Sequence, residues 1–222
     1  MCWILTSLGR PDRIRKVVDS YAWGFESQVI LALWSGDARL REYLRQEWPE
    51  NWRVETISLR GNGPTYNKIL DRYPNERCYG FLADDAILDE QGMLRQLEQE
   101  AGDWDVAYAN DKHWGARLPT MPCLGGDLVR AVGYLAPPSL THWAIDNAWG
   151  VIGERLGALR YRSDLTYTHL NPVFGTAPDD STYQWARNLS PEWERVYRSW
   201  MVNELPSVIE RVKAAHAEVV PC

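Results

Sequence analysis

Tyr79–Asp89, YGFLADDAILD, is the stretch that decides how the rest of the chain is read. An apolar run from Tyr79 to Ala83 stops at two adjacent carboxylates, Asp84 and Asp85, and the apolar pair Ile87-Leu88 follows at once. A short uninterrupted apolar run suits a strand buried on both faces of a parallel sheet. Acids at its C-terminal end then open into the crevice where such sheets bind ligands. Two neighbouring carboxylates repel each other unless a cation or proton sits between them. A hard divalent ion, Mg²⁺ or Mn²⁺, is the natural occupant, and it would in turn bind a diphosphate. The competing reading is a solvated acidic turn after a core strand.

Upstream of this stretch, Cys2–Leu8 (CWILTSL), Gln28–Trp34 (QVILALW) and Arg53–Leu59 (RVETISL) read as strands from their β-branched, aromatic and apolar content. Helical patterns separate them: one from Asp12, with Ile14, Val17, Val18 and Tyr21 on one face, then Ala38–Trp48 and Thr65–Arg72. Downstream, the pattern predicts helices over Glu90–Gly102, Leu128–Tyr134 and Leu140–Leu156, the last set up by Pro137-Pro138-Ser139. Strands are predicted over Asp105–Ala109, Leu159–Arg162 and Leu165–His169. NDKHWGARLPTMP (110–122) and Val173–Asp180 read as loops, the second a mobile one. Pro191–Ala215 reads as a helical stretch that Pro206 breaks. Strand–helix alternation of this kind predicts an α/β fold, doubly wound around a mostly parallel central sheet flanked by helices.

The 222 residues are enough for one sizeable domain, and 45% hydrophobic with 24% charged residues is an ordinary globular balance. A formal net charge of -6 argues against non-specific polyanion binding as the main activity, without excluding a local basic face. Cys2, Cys78, Cys123 and Cys222 are scattered with no C-x-x-C pair, which reads as reduced thiols in a cytoplasmic protein. No signal peptide is evident, and no apolar run approaches the length of a membrane span, so no membrane insertion is expected. Twelve tryptophans are several times ordinary usage; many are expected at cleft walls or the surface, because Trp is rarely fully buried.

No G-x-G-x-x-G follows the first strand, and no G-K-[ST] P-loop occurs anywhere. Ser7–Arg13, SLGRPDR, is too poor in glycine for the phosphate loop of sugar-nucleotide pyrophosphorylases. What the first half resembles is the nucleotide-sugar half of GT-A glycosyltransferases of the broad family-2 type. Four features carry the resemblance: TSLGRPD (Thr6–Asp12), Asp37, GPTYNKIL (Gly63–Leu70) and LADD (Leu82–Asp85). The last stands for the family's D-x-D metal motif, with Ala83 replacing a first acid that many members have.

The resemblance implies a GT-A-like fold over residues 1–222, with a nucleotide-sugar half to about 110, an acceptor half to about 190 and C-terminal helices beyond. It implies a hexosyl- or pentosyltransferase with a nucleoside-diphosphate sugar as donor, UDP-sugars first. Donor contacts fall on Thr6, Ser7, Arg10, Asp37, Asn67, Lys68, Asp84, Gly125 and Gly126. Asp85 and His169 fall at metal positions for Mn²⁺ or Mg²⁺. Asp146 matches the second acid of the acceptor-helix pair, the general base of an inverting displacement. His113, Trp114 and Trp143 are acceptor-side candidates. Local alternatives stand beside these: a turn cap for Asp37, a helix hydrogen bond for Asn67, a favourable helix-dipole position for Asp146, and solvated charges for Arg10 and Lys68.

Two acceptors fit. One is a saccharide or small metabolite. The other is a hydroxymethylated pyrimidine in DNA, since the compact length and the Trp and Arg content resemble small phage-encoded DNA glycosyltransferases, which would place the protein in a host cytoplasm. Arg10, Arg13, Arg15 and Lys16, and Arg155, Arg160 and Arg162, are the clusters that would hold DNA phosphates. A non-catalytic nucleotide-sugar binder is the alternative from a different class, kept open by Ala83.

Overall fold

A computed structural model describes residues 1–21, 27–188 and 190–219. Cys222 lies outside the described residues. Four strands, β1 (Cys2–Ser7), β2 (Gln28–Trp34), β3 (Trp52–Ile57) and β4 (Cys78–Ala83), pair in parallel in the order β3-β2-β1-β4. Helices α1 (Pro11–Tyr21), α2 (Leu40–Leu44) and α3 (Asn62–Arg72) connect them. Proline opens α1, where its missing N–H costs nothing. The helix expected over Ala38–Trp48 shrinks to α2, which buries only Tyr43.

Beyond β4 the sheet becomes mixed. The remaining elements are β5 (Ala86–Leu88), α4 (Met93–Ala101), β6 (Val106–Asn110), β7 (Cys123–Gly125), α5 (Gly126–Val132), α6 (Ile145–Leu156) and β8 (Leu159–His169), then α7 (Ser181–Asn188), α8 (Ser190–Asn203) and α9 (Leu205–Val219). The full order is β3-β2-β1-β4-β7-β6-β8-β5. β7 runs antiparallel to both β4 and β6, and β5 antiparallel to β8. The two short strands expected near 160 and 167 are one strand, β8, paired in parallel with β6 and irregular opposite Ala109/Asn110.

Alternating side chains feed two apolar layers, as the period of two requires. Ile4, Ile30, Tyr79 and Phe81 face α3, α5, α6 and the C-terminal helices. Trp3, Leu5, Leu31 and Leu82 face α1 and α4. Trp3, Trp149 and Trp200 are fully buried, so part of the tryptophan excess is core bulk. Because β7 is reversed, the C-terminal ends of β1, β2, β4, β6 and β8 share one edge, and β7 ends at the other.

Candidate functional site

A cavity of about 280 Å³ opens at that shared edge. Thr6, Ser7, Arg10, Asp84, Asp85, Trp143, Asp146 and His169 all line it. The β5–β8 pairing explains how residues far apart in sequence meet. Ala86 pairs with His169, and Leu170 N donates to Asp85 O at 2.6 Å. His169 Nε2 therefore lies 3.4 Å from Asp85 Oδ1.

The two acids are treated differently. Asp84 accepts from Ser7 Oγ at 2.6 Å and from Arg10 Nη1 at 2.7 Å. Burial raises its carboxyl above the ordinary range, although Arg10 pulls the other way and Asp85 adds to the rise. Asp85 receives the Tyr183 hydroxyl at 2.6 Å. Burial works against its ionisation too, but His169, Tyr183 and Arg10 outweigh it and hold Asp85 below the usual value. His169 is held up in turn: burial would lower it, and Asp85 overrides that.

A strap that the sequence pattern did not predict crosses this corner. Asp180 accepts from Arg10 Nε at 2.8 Å and Nη2 at 2.9 Å, and from Arg13 Nη1 at 3.4 Å. Its Oδ1 also accepts from the backbone of Thr182 and Tyr183, both at 3.0 Å, which makes it the N-cap of α7. Tyr183 packs beneath Arg10, whose guanidinium lies 4.1 Å from the ring centre. Residues 173–180, expected as a mobile loop, follow from a 3-10 turn at Pro172–Phe174 into an irregular segment that delivers Asp180 to the site. The only sequence signal was the second acidic pair, Asp179-Asp180.

On the opposite wall, Asp146 sits in the first turn of α6. Its carboxylate accepts from backbone N–H groups of its own turn, Asn147 N at 2.9 Å among them. Burial pushes it up to about 6. The helix expected from Leu140 starts at Ile145, because the preceding chain is pressed onto α3. Gly63 N donates to Thr141 O at 3.0 Å, and a Cβ at Gly63 would sit 2.0 Å from Leu140 O. Ala144 turns the corner at φ +66°, a left-handed conformation that costs an alanine about 1–2 kcal/mol. Strain of that kind next to a candidate catalytic carboxylate fits a site whose geometry is imposed by its surroundings. Trp143 donates Nε1 to Ala186 O at 2.7 Å and keeps 38% of its surface exposed.

Other expected site residues are not brought to the cavity. Gly125 and Gly126 lie at the opposite edge, because β7 is antiparallel to β4; a Cβ on either would strike backbone, at Asp103 or Glu76, from 2.3 Å. Asn67 staples the 135–136 segment, accepting from Leu135 N and Ala136 N at 2.9 and 3.0 Å and donating to Ala136 O at 2.8 Å. Lys68 is exposed and pairs with Asp71 at 3.3 Å. Asp37 accepts from Gly9 N at 2.7 Å and Arg39 N at 2.8 Å, so it ties the loop after β1 to the loop after β2. His113 stacks on Phe174 at 3.7 Å, and Trp114, 43% exposed, lies under Arg117, both outside the cavity lining. Conversely, His142, Arg60, Trp185 and Tyr66 line the cavity without having been singled out by the sequence.

Asp85 and His169 offer one carboxylate and one imidazole nitrogen side by side. That donor set fits a divalent ion which takes its other ligands from phosphate oxygens and water. Asp84 does not join it, since Arg10 and Ser7 occupy its oxygens. Among the described residues no three or more His, Cys, Asp or Glu side chains converge, so the protein alone makes no closed metal cage.

No protein-family model matches the sequence, and no curated protein matches it. Solved structures do. A mannosyltransferase from Pyrobaculum calidifontis, solved with GDP-Man and Mn²⁺, aligns over 100% of this chain and 75% of its own at TM-score 0.63 and 11% identity. The glycosyltransferase GlyE of Streptococcus pneumoniae aligns over 92% and 64% at TM-score 0.48 and 10% identity. A putative glucose-1-phosphate thymidylyltransferase from Bacillus anthracis aligns over 77% and 90% at 0.46 and 10%. Of these three scores only the first is high enough to bear weight, and it shows that the chain shares the GT-A-like α/β fold of that mannosyltransferase.

Proposed function

We propose that the chain is a glycosyltransferase that moves a sugar from a nucleoside-diphosphate sugar to an acceptor hydroxyl, inverting the anomeric carbon. The observation that carries this reading is Asp146: a carboxylate with no ion-pair partner among the described residues, pushed up to about 6 by burial, in the same cavity as Asp85 and His169. An acceptor hydroxyl that attacks an anomeric carbon must lose its proton, and a general base works best when its pKa lies near the operating pH. Asp146 takes that proton. Arg10, held by Asp84 and Asp180 in this structure, would face the diphosphate once Asp180 is drawn away, and Thr6 and Ser7 border the same passage. Asp85 and His169 would hold Mn²⁺ or Mg²⁺, which when bound supplies Lewis-acid stabilisation of the leaving diphosphate.

The Pyrobaculum enzyme was solved with GDP-Man and Mn²⁺. That makes GDP-sugars, beside the UDP-sugars first expected, the donors to test. A saccharide is the favoured acceptor, because the exposed face of Trp143 borders the cavity near Asp146. Cys2, Cys78 and Cys123 are free, buried thiols, which supports a cytoplasmic location.

Thermal melting with UDP and GDP, each with and without Mn²⁺, tests the donor site. A rise that needs both nucleotide and metal is expected, by the usual linkage of binding to stability. No rise with either nucleotide would overturn the reading. Asp146→Asn should keep that rise and lose transfer by about 10²-fold or more. A rise with no transfer by the wild type to any hydroxyl acceptor would mark a nucleotide-sugar binder instead.

A further inference from the structure

His142 has no part in the chemistry described so far, yet the fold holds its ring on the cavity wall. The edges of Trp143 and Trp185 meet it at 5.4 and 5.2 Å. Trp143 is itself fixed to α7 through Ala186 O. The backbone on its other side is fixed through Thr141 O, on the glycine-lined start of α3. The imidazole therefore has little freedom to turn away.

Its polar atoms are unsatisfied. Nδ1 is enclosed and has no hydrogen-bond partner, and Nε2 makes no hydrogen bond among the described residues. A buried polar group without a partner costs roughly 1–3 kcal/mol. That cost falls on Nδ1, whereas Nε2 is not among the enclosed unpartnered atoms and is free to meet a ligand in the cavity. Burial first, and then the charge of Arg10, lower the imidazole to about 4, so the ring is neutral at neutral pH. An orphaned buried N–H is rarer than an orphaned lone pair. The proton therefore belongs on Nε2, the one ring nitrogen left to meet a ligand.

The donor reading places the diphosphate at Arg10, Asp85 and His169, and the reacting carbon within reach of Asp146. The sugar joins the two, in the cavity whose lining includes His142. Resting on that reading, we infer that His142 donates its Nε2–H to a hydroxyl of the transferred sugar and so takes part in deciding which sugar the site accepts. It makes no contact with the nucleotide.

Calorimetry at pH 7 with Mn²⁺ tests this with UDP, GDP, UDP-glucose, UDP-N-acetylglucosamine and GDP-mannose. The variants are His142→Phe, which keeps an aromatic ring and removes the donor, and His142→Asn, which restores a short N–H donor. For the sugar nucleotide that binds the wild type most tightly, His142→Phe should weaken binding about tenfold while leaving the matching nucleoside diphosphate within about twofold. His142→Asn should recover most of the loss. Equal weakening of both ligands would move His142 to the nucleotide or to the fold and overturn the inference. An unchanged affinity of His142→Phe for the sugar nucleotide would overturn it as well. If the wild type binds none of the five, the glycosyltransferase reading itself falls, which separates that failure from a failure at His142.

Discussion

Asp146 is held in the fold at a cost to stability, and that cost can be measured apart from any chemistry. Its ordinary value is 3.8, and burial lifts it to about 6. Between those values the folded state binds more protons than the unfolded one. Its favourable contribution is complete below about pH 4 and is lost as pH rises through about 6. At pH 7 the buried charge is therefore a burden, tempered by the part of the residue that reaches the cavity. Asp146→Asn should raise stability at pH 7 by on the order of 1 kcal/mol, read as a higher melting temperature, and leave it nearly unchanged at pH 4. In the wild type, transfer should fall off below about pH 6 as the base becomes protonated. A variant with unchanged melting at both pH values would show that the carboxylate is not desolvated. At this scale the sequence was informative where residue type limits chemistry. Asp84, Asp85, Asp146 and His169, picked out as polar groups at strand and helix ends, line one cavity. It misled at Gly125, Gly126 and Asn67, whose side chains, or lack of them, serve close backbone packing that no local pattern reveals.

Among the elements, α7 lines the cavity through Thr182, Tyr183, Trp185 and Ala186, and it is tied by Asp180 to Arg10 and Arg13, by Thr182 Oγ1 to Leu8 O at 2.7 Å, and by Tyr183 to Asp85. The remaining space, about 280 Å³, is at the low end of ligand pockets, which run roughly 300–1,000 Å³. A sugar nucleotide would need α7 displaced, and Tyr183 competes with a metal for Asp85 Oδ2 while it stays in place. Asp180→Asn separates the two duties of the capping residue, since Asn caps a helix as well as Asp but loses the ion pairs. Amide exchange over 181–188 should quicken several-fold, with no change in the sheet, and nucleoside diphosphate should bind faster. Unchanged exchange there would mean that the ion pairs do not hold the strap. The eight-residue STYQWARN shows no strong apolar stripe, and β7 is only three residues long, which is why neither was legible as an element. The strands β1, β2 and β4 were legible because continuous apolar runs bounded by turn residues leave few alternatives, and β3 because its residues alternate.

For the molecule as a whole, the arrangement of charge bears on the acceptor. Net charge is -6, and most of the basic residues that would grip DNA are committed elsewhere. Arg160 pairs with Asp105 at 2.9 Å, and Arg162 with Asp164 and Glu100 at 2.7 and 3.0 Å. Both sit early in β8, at the edge of the sheet away from His169. Arg10 and Arg13 are turned inward onto Asp84 and Asp180. Binding to duplex DNA draws on counterion release, so it needs several free cations on one accessible face. Paired arginines release little, because their partner carboxylates repel the phosphates they would meet. Fluorescence anisotropy with a labelled duplex carrying hydroxymethylcytosine should therefore show only weak binding at 150 mM salt, on the order of 10⁻⁵ M or weaker. Sub-micromolar binding that collapses as salt is raised would return DNA to the acceptor site. The reason would then be a rearrangement that frees Arg10 and Arg13 when α7 moves, and the Asp180→Asn variant, with those arginines already released, would bind the same duplex more tightly still.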